Sequence, residues 1–237
     1  MSLKSIRLGA SCAVLTSLMA APAFAQDVEP TFSMSIDYVS EYVFRGTSFE
    51  AEAIQPGVEL GLGNFAAGVW ASTGLGSDSL ADTDEIDFYV GYGFDLSDMV
   101  SASVGATWYH FPDGGDTYEG YIGLGFDAPL APAITAYYDI ELEALTLEGS
   151  VGHSIAMPDN DATTFDLGLV GGLVTADGGG DYEWVTASAA ISHAVNDIGS
   201  FYIGLNYTLN SEDVLDFNDP TPDDNLLWAG VGIASSF

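Results

Sequence analysis

From residue 86 the chain reads Ile-Asp-Phe-Tyr-Val-Gly-Tyr-Gly-Phe-Asp-Leu, with a large apolar or aromatic residue at each even position and Asp, Tyr, Gly, Gly and Asp between them. A strand sends successive side chains to opposite faces, so this period of two describes a strand with one greasy face and one polar or nearly bare face. The same period recurs in Phe32 to Phe44, Ile54 to Leu62, Phe65 to Thr73, Val100 to His110, Tyr118 to Phe126 and Ile134 to Leu142. It continues in Leu145 to Ile155, Phe165 to Leu173, Tyr182 to Ala194, Phe201 to Leu209 and Leu227 to Phe237, which makes twelve predicted strands. Helical period is scarce, and no segment after Ala25 reaches the roughly eighteen consecutive apolar residues of a membrane-crossing helix.

These strands are long. Soluble strands average roughly 5 to 6 residues, whereas a tilted strand needs about 9 to 11 to cross a bilayer. The connections also differ by side. Those at 45–53, 74–85, 112–117, 143–144, 176–181 and 210–225 include several long stretches of Asp, Gly and Pro, while Gly63-Asn64, Ser97-Asp98 and Asn196-Asp197 are tight. An even strand count with long loops at one end and short turns at the other predicts an all-β fold, an antiparallel transmembrane β-barrel of twelve strands. The phrase at 88–96, Phe-Tyr-Val-Gly-Tyr-Gly-Phe-Asp-Leu, returns at 120–128 as Gly-Tyr-Ile-Gly-Leu-Gly-Phe-Asp-Ala. Both end strands that run toward the tight turns, which sets Phe94 and Phe126 at a membrane interface and the next aspartate in water. The last strand closes on Phe237, as in many outer-membrane barrels, and that likeness implies recognition by the barrel-insertion machinery.

Composition sharpens this picture at the N-terminus. Lys4 and Arg7 precede a short apolar stretch and then Ala23-Phe24-Ala25, so residues 1–25 read as a secretory signal peptide and residues 26–237 as the barrel. The single cysteine, Cys12, leaves with that peptide, and with it any disulfide, thiolate nucleophile or cysteine metal site. All 35 Asp and Glu remain, against Arg45 as the only Lys or Arg. Binding of nucleic acid or anionic lipid through a basic patch is thereby excluded. Acidity of this degree often marks disorder, but 48% hydrophobic and 12% aromatic residues with a mean hydropathy of +0.23 require a folded or membrane-embedded chain.

The segments Tyr38-Val-Ser-Glu-Tyr-Val-Phe-Arg-Gly46, Ala53-Ile-Gln-Pro-Gly57, Ala67-Gly-Val-Trp-Ala-Ser72 and Glu85-Ile-Asp-Phe-Tyr-Val-Gly-Tyr92 resemble the TorF-type porin family, also known as the Gcw-chp family of uncharacterised bacterial outer-membrane proteins. The resemblance is densest over residues 35 to 96. It implies an outer-membrane barrel with a pore, and the family supplies no catalytic residues to carry over.

If the greasy faces meet lipid, then Asp37, Glu59, Asp87, Asp95, Glu119, Asp139, Glu141, Glu148 and Asp166 point into the lumen and line a pore that attracts cations and repels anions. The other reading of these carboxylates is a general acidification of exported surfaces. Inward glycines such as Gly57, Gly91, Gly123 and Gly230 either widen the lumen or let the strands bend. Arg45, at the junction of the first strand and first long loop, either narrows the pore mouth by reaching its carboxylates or pairs locally to fix the loop. The loop 211–225 has enough hard oxygens for Ca²⁺, without the glycine and distal glutamate of an EF-hand, and otherwise reads as a solvated acidic loop. No nucleophile elbow or phosphate-binding loop occurs, and His110, His153 and His193 lack metal spacing, so neither an enzyme nor a cofactor nor a metal is expected. The reading is a porin-like channel for passive diffusion of small solutes, cations preferred, in the outer membrane of a Gram-negative cell. Its partners are the lipid bilayer and the permeating small solutes or cations. The alternatives are a narrow, filled barrel with a structural or adhesive role, and a soluble β-sandwich, which bare glycine and aspartate on the second face disfavour.

Overall fold

The computed structural model describes residues 29–75, 84–112, 114–158, 160–177, 179–211 and 225–237. Along the chain run β1 (Thr31–Val39), β2 (Tyr42–Phe44), β3 (Thr47–Glu50), β4 (Ala53–Leu62), β5 (Phe65–Gly74), β6 (Glu85–Ser97) and β7 (Val100–His110). They are followed by β8 (Asp116–Phe126), β9 (Ala133–Asp139), β10 (Ala144–Met157), β11 (Asn160–Ala176), β12 (Tyr182–Ala194), β13 (Gly199–Asn210) and β14 (Asn225–Ser236). All but β2 and β3 form one closed barrel of twelve antiparallel strands. The seam lies between β1 and β14, with Ser33 opposite Ser236 and Val39 opposite Gly230. Phe237, at the end of the chain, extends the seam by exchanging both backbone hydrogen bonds with Phe32, at 3.1 and 2.9 Å. Closure pairs the backbone of each wall strand on both sides, which a hydrocarbon environment demands because it supplies no hydrogen bonds of its own.

Side-chain distribution is inverted relative to a soluble protein. Leu205 on β13 is 58% exposed while Glu119 on β8 is 5% exposed, the reverse of the usual partition between water and core. Phe32, Met34, Ile36 and Tyr38 on β1, and Val58, Leu60 and Leu62 on β4, lie on the outer face. Near the long-loop rim, Phe88, Trp108 and Tyr118 stack across three neighbouring strands with centroids 5.0 and 6.2 Å apart, and Phe65, Tyr92 and Phe126 stand exposed toward the opposite end. The bulky alternating residues therefore face outward as the sequence predicts, and the soluble sandwich is set aside.

Two strands stop well short of the sequence reading, and β11 starts at Asn160, ahead of the predicted Phe165. The first stops at Val39 instead of Phe44, because residues 40–52 turn inward and form the separate β2–β3 hairpin. The predicted strand from Ile134 to Leu142 stops at Asp139, where Oδ1 of that residue accepts the Leu142 N–H at 2.8 Å and caps a turn over 140–143. That turn carries Glu141, exposed to solvent and off the barrel wall. The expected signal peptide and most of the acidic loop at 211–225 lie outside the described residues.

Candidate functional site inside the barrel

The hairpin is built from aromatic, β-branched and small residues on either side of an Arg-Gly pair: Tyr42-Val43-Phe44-Arg45-Gly46-Thr47-Ser48-Phe49. Arg45 and Gly46 have φ of 47° and 84°, and two successive central residues with positive φ are what a tight type I′ hairpin turn requires. Gly46 is needed twice over, since a Cβ there would also stand 2.5 Å from the Cβ of Trp184 on β12. Arg45 holds a conformation that costs a side-chain-bearing residue about 1 kcal/mol or more, and its contacts offset that cost.

The root of the hairpin is apolar. Tyr42 and Val43 join Val39, Ala53, Trp70 and Trp228 in one buried cluster, with Phe44, Phe49, Tyr89 and Leu226 packed around it. The Tyr42 ring lies 5.6 Å from that of Trp70 on β5, and its hydroxyl donates to Glu85 Oε2 on β6 at 2.8 Å. Burial first, and then the charge of Glu85, push the Tyr42 phenol well above its ordinary pKa, so it stays a donor.

The tip reaches the opposite wall. Arg45 Nη1 donates to Glu119 Oε2 at 2.6 Å and Nη2 donates to Oε1 at 2.8 Å, a bidentate fork between residues 74 positions apart. The guanidinium carbon lies 4.2 Å from the Tyr137 ring centroid on β9 and 4.6 Å from that of Phe44, within cation–π range of both. Tyr109 on β7 donates to Glu119 Oε1 at 3.1 Å, and Asn210 on β13 donates to the Gly46 carbonyl at 2.9 Å. Burial opposes the charge on Arg45, but the hydrogen bonds and charge of Glu119 more than offset it, and the guanidinium pKa lies above its ordinary value. From its root beside β1 and β4 to its tip at β8, β9 and β12, the hairpin thus spans the interior near the long-loop end.

Below the hairpin the wall is trimmed with small residues. Tyr89 donates to Glu59 Oε2 at 3.1 Å, and Tyr89 and Tyr121 lie flat against the wall because Gly68 and Gly105 leave room; a Cβ at either would come within 2.3 Å of the ring. Asp37 on β1 is hydrogen-bonded by Tyr202, Asp139 by Thr117, and Asp166 Oδ2 by Thr164 at 3.1 Å. Buried oxygens of Asp87, Glu148 and Asp166 have no protein partner. Of the sequence-derived wall carboxylates, Asp37, Glu59, Asp87, Glu119, Asp139, Glu148 and Asp166 sit on the inner face, Asp95 stands exposed at the short-turn end of β6, and Glu141 lies in the turn noted above. The histidines stand apart from this interior: His110 meets Asp116 at 2.7 Å at the rim, and His193 packs on Phe201 and bonds Thr163. Sequence reasoning missed Tyr42, Glu85, Tyr109, Tyr137 and Trp184 as site residues. The inward parity of Glu85, Tyr109, Tyr137 and Trp184 was readable, whereas the hairpin that brings Tyr42 to them was signalled only by Arg45-Gly46 between two β-forming triplets.

A closed barrel with apolar exterior and carboxylate-bearing interior is an outer-membrane porin type of fold. The family model described as "Bacterial protein of unknown function (Gcw_chp)" matches residues 25–137, just under half of the chain. The structure is similar to the NanC porin, with a TM-score of 0.56 and 18% identity over 87% of this chain and 98% of that one. It is also similar to the KdgM porin, with a TM-score of 0.58 and 11% identity over 87% and 99% of the two chains, and to the KdgM porin in complex with disordered oligogalacturonate, at 0.57 and 11%. At these identities the likeness is one of fold. Among the curated proteins there is no significant match.

Proposed function

We propose that this protein is an outer-membrane channel for passive diffusion of small solutes, narrowed by the β2–β3 hairpin and selective for cations. The observation that carries the reading is the charge balance inside the closed wall: many inward carboxylates face a single cation, Arg45, whose charge Glu119 already neutralises at 2.6 Å. Asp87, Glu148 and Asp166, each with a buried oxygen that has no protein partner, continue the line of carboxyl groups whose ionised members set a negative field in the interior. In a confined, low-dielectric lumen such a field raises the local concentration of cations and lowers that of anions. Passage needs no chemical step, and the resemblance to TorF-type porins, together with the porin fold, supports the same assignment. The reading places the chain in the outer membrane of a Gram-negative cell.

One observation favours a second reading. The hairpin spans the interior, as expected of a filled barrel whose role is structural or adhesive. The reversal potential of purified, folded protein in a planar bilayer under a tenfold KCl gradient tests the first reading directly. It is expected to shift toward the potassium equilibrium potential; a shift toward the chloride value would reject cation selectivity.

A further inference from the structure

The surroundings of Arg45 have two halves. One belongs to the hairpin: the Phe44 ring and the arginine itself. The other belongs wholly to the barrel wall: the Glu119 carboxylate, held by Tyr109 at 3.1 Å, the Tyr137 ring 4.2 Å from the guanidinium carbon, and Glu148, which Tyr137 hydrogen-bonds and which feels the charge of Arg45. Glu148 is 5% exposed, and its Oε2 has no protein partner. Two carboxyl groups therefore serve one guanidinium, Glu119 through its two oxygens and Glu148 from beside the Tyr137 ring. The geometry of the wall half suits a flat cation rather than a spherical one. A carboxylate presents two oxygens to a planar fork, and an aromatic face covers the plane.

We propose that Glu119, Glu148, Tyr109 and Tyr137 form a binding site for solutes bearing a guanidinium group, and that Arg45 is a tethered occupant which such a solute displaces. The hairpin tip then loses its charged anchor and keeps only the Asn210 hydrogen bond and its contact with Trp184, so a guanidinium-bearing solute loosens the constriction as it binds. The inference rests on the channel reading for the meaning of that displacement, but not for the binding itself. An intramolecular occupant competes with a free ligand through its effective concentration, and a packed hairpin holds Arg45 in place for that competition. Removing it is therefore expected to strengthen binding of a free ligand.

The test is calorimetric titration of methylguanidinium, with the neutral isostere methylurea as control, into the full-length mature barrel folded in detergent. Arg45→Ala is expected to bind methylguanidinium at least tenfold more tightly than wild type, and Arg45→Ala/Glu119→Gln to lose that gain, with methylurea inert throughout. Should Arg45→Ala not fold, Arg45→Met keeps the stem between Phe44 and Tyr137 and takes the same titration. Equal affinity of the single and double variants, or equal binding of methylguanidinium and methylurea, overturns the proposal. Binding without bilayer current would count against the channel and leave the site standing, whereas current without binding does the reverse.

Discussion

At the scale of single residues, the energetics centre on a buried ion pair with unequal alternatives. Bringing both charges of Arg45 and Glu119 out of water is costly, and their fork-to-fork contact with the Tyr109 bond and two ring faces compensates for it. Removing one partner leaves the other buried and unpaired. Arg45→Ala is therefore expected to destabilise the folded barrel by about 3 to 5 kcal/mol, read from the urea midpoint in lipid vesicles. Arg45→Ala/Glu119→Gln should recover part of that loss, since no charge is then stranded. A double variant less stable than the single one would mean that the pair is not the hairpin's main polar anchor.

At the scale of elements, the wall strands were legible because membrane strands advertise themselves twice, by alternation and by length. Val100–His110 and Tyr182–Ala194 have the bounds that the pattern implies, and most other strand ends lie within a few residues of it. The hairpin was not legible for a physical reason: Tyr42-Val43-Phe44 continues the alternation of β1, so periodicity alone runs the strand on to Phe44. What stops it is tertiary, the burial of Tyr42 and Val43 against Trp70 and Trp228 inside the barrel. Contact between Arg45 and Glu119, distant in sequence, was likewise beyond a local pattern, although the charge count already marked Arg45 as the only Lys or Arg after residue 25, with pore-mouth carboxylates or a local loop partner as its two readings. The outer face makes its own prediction. Leu205 lies near the middle of β13 on the lipid side, so Leu205→Arg should cost about 2 to 4 kcal/mol if it lies near the bilayer midplane, measured by refolding into vesicles; a neutral outcome would contradict a lipid-facing β13.

For the molecule as a whole, the structure joins a wall that any solute-permeable barrel needs to an internal element that narrows it. Every wall strand is paired on both sides, so the cylinder does not depend on the hairpin for closure. The hairpin is a guest of the lumen, held at its root by packing and at its tip by Glu119, Tyr137 and Asn210. Replacing residues 40–52 with a short turn should therefore leave a folded barrel and remove its constriction. Single-channel recording in planar bilayers compares that variant with the intact protein most directly. Discrete current steps severalfold larger than those of the intact barrel are expected from the variant; silence from the correctly folded, hairpin-free cylinder would contradict a water path through its centre.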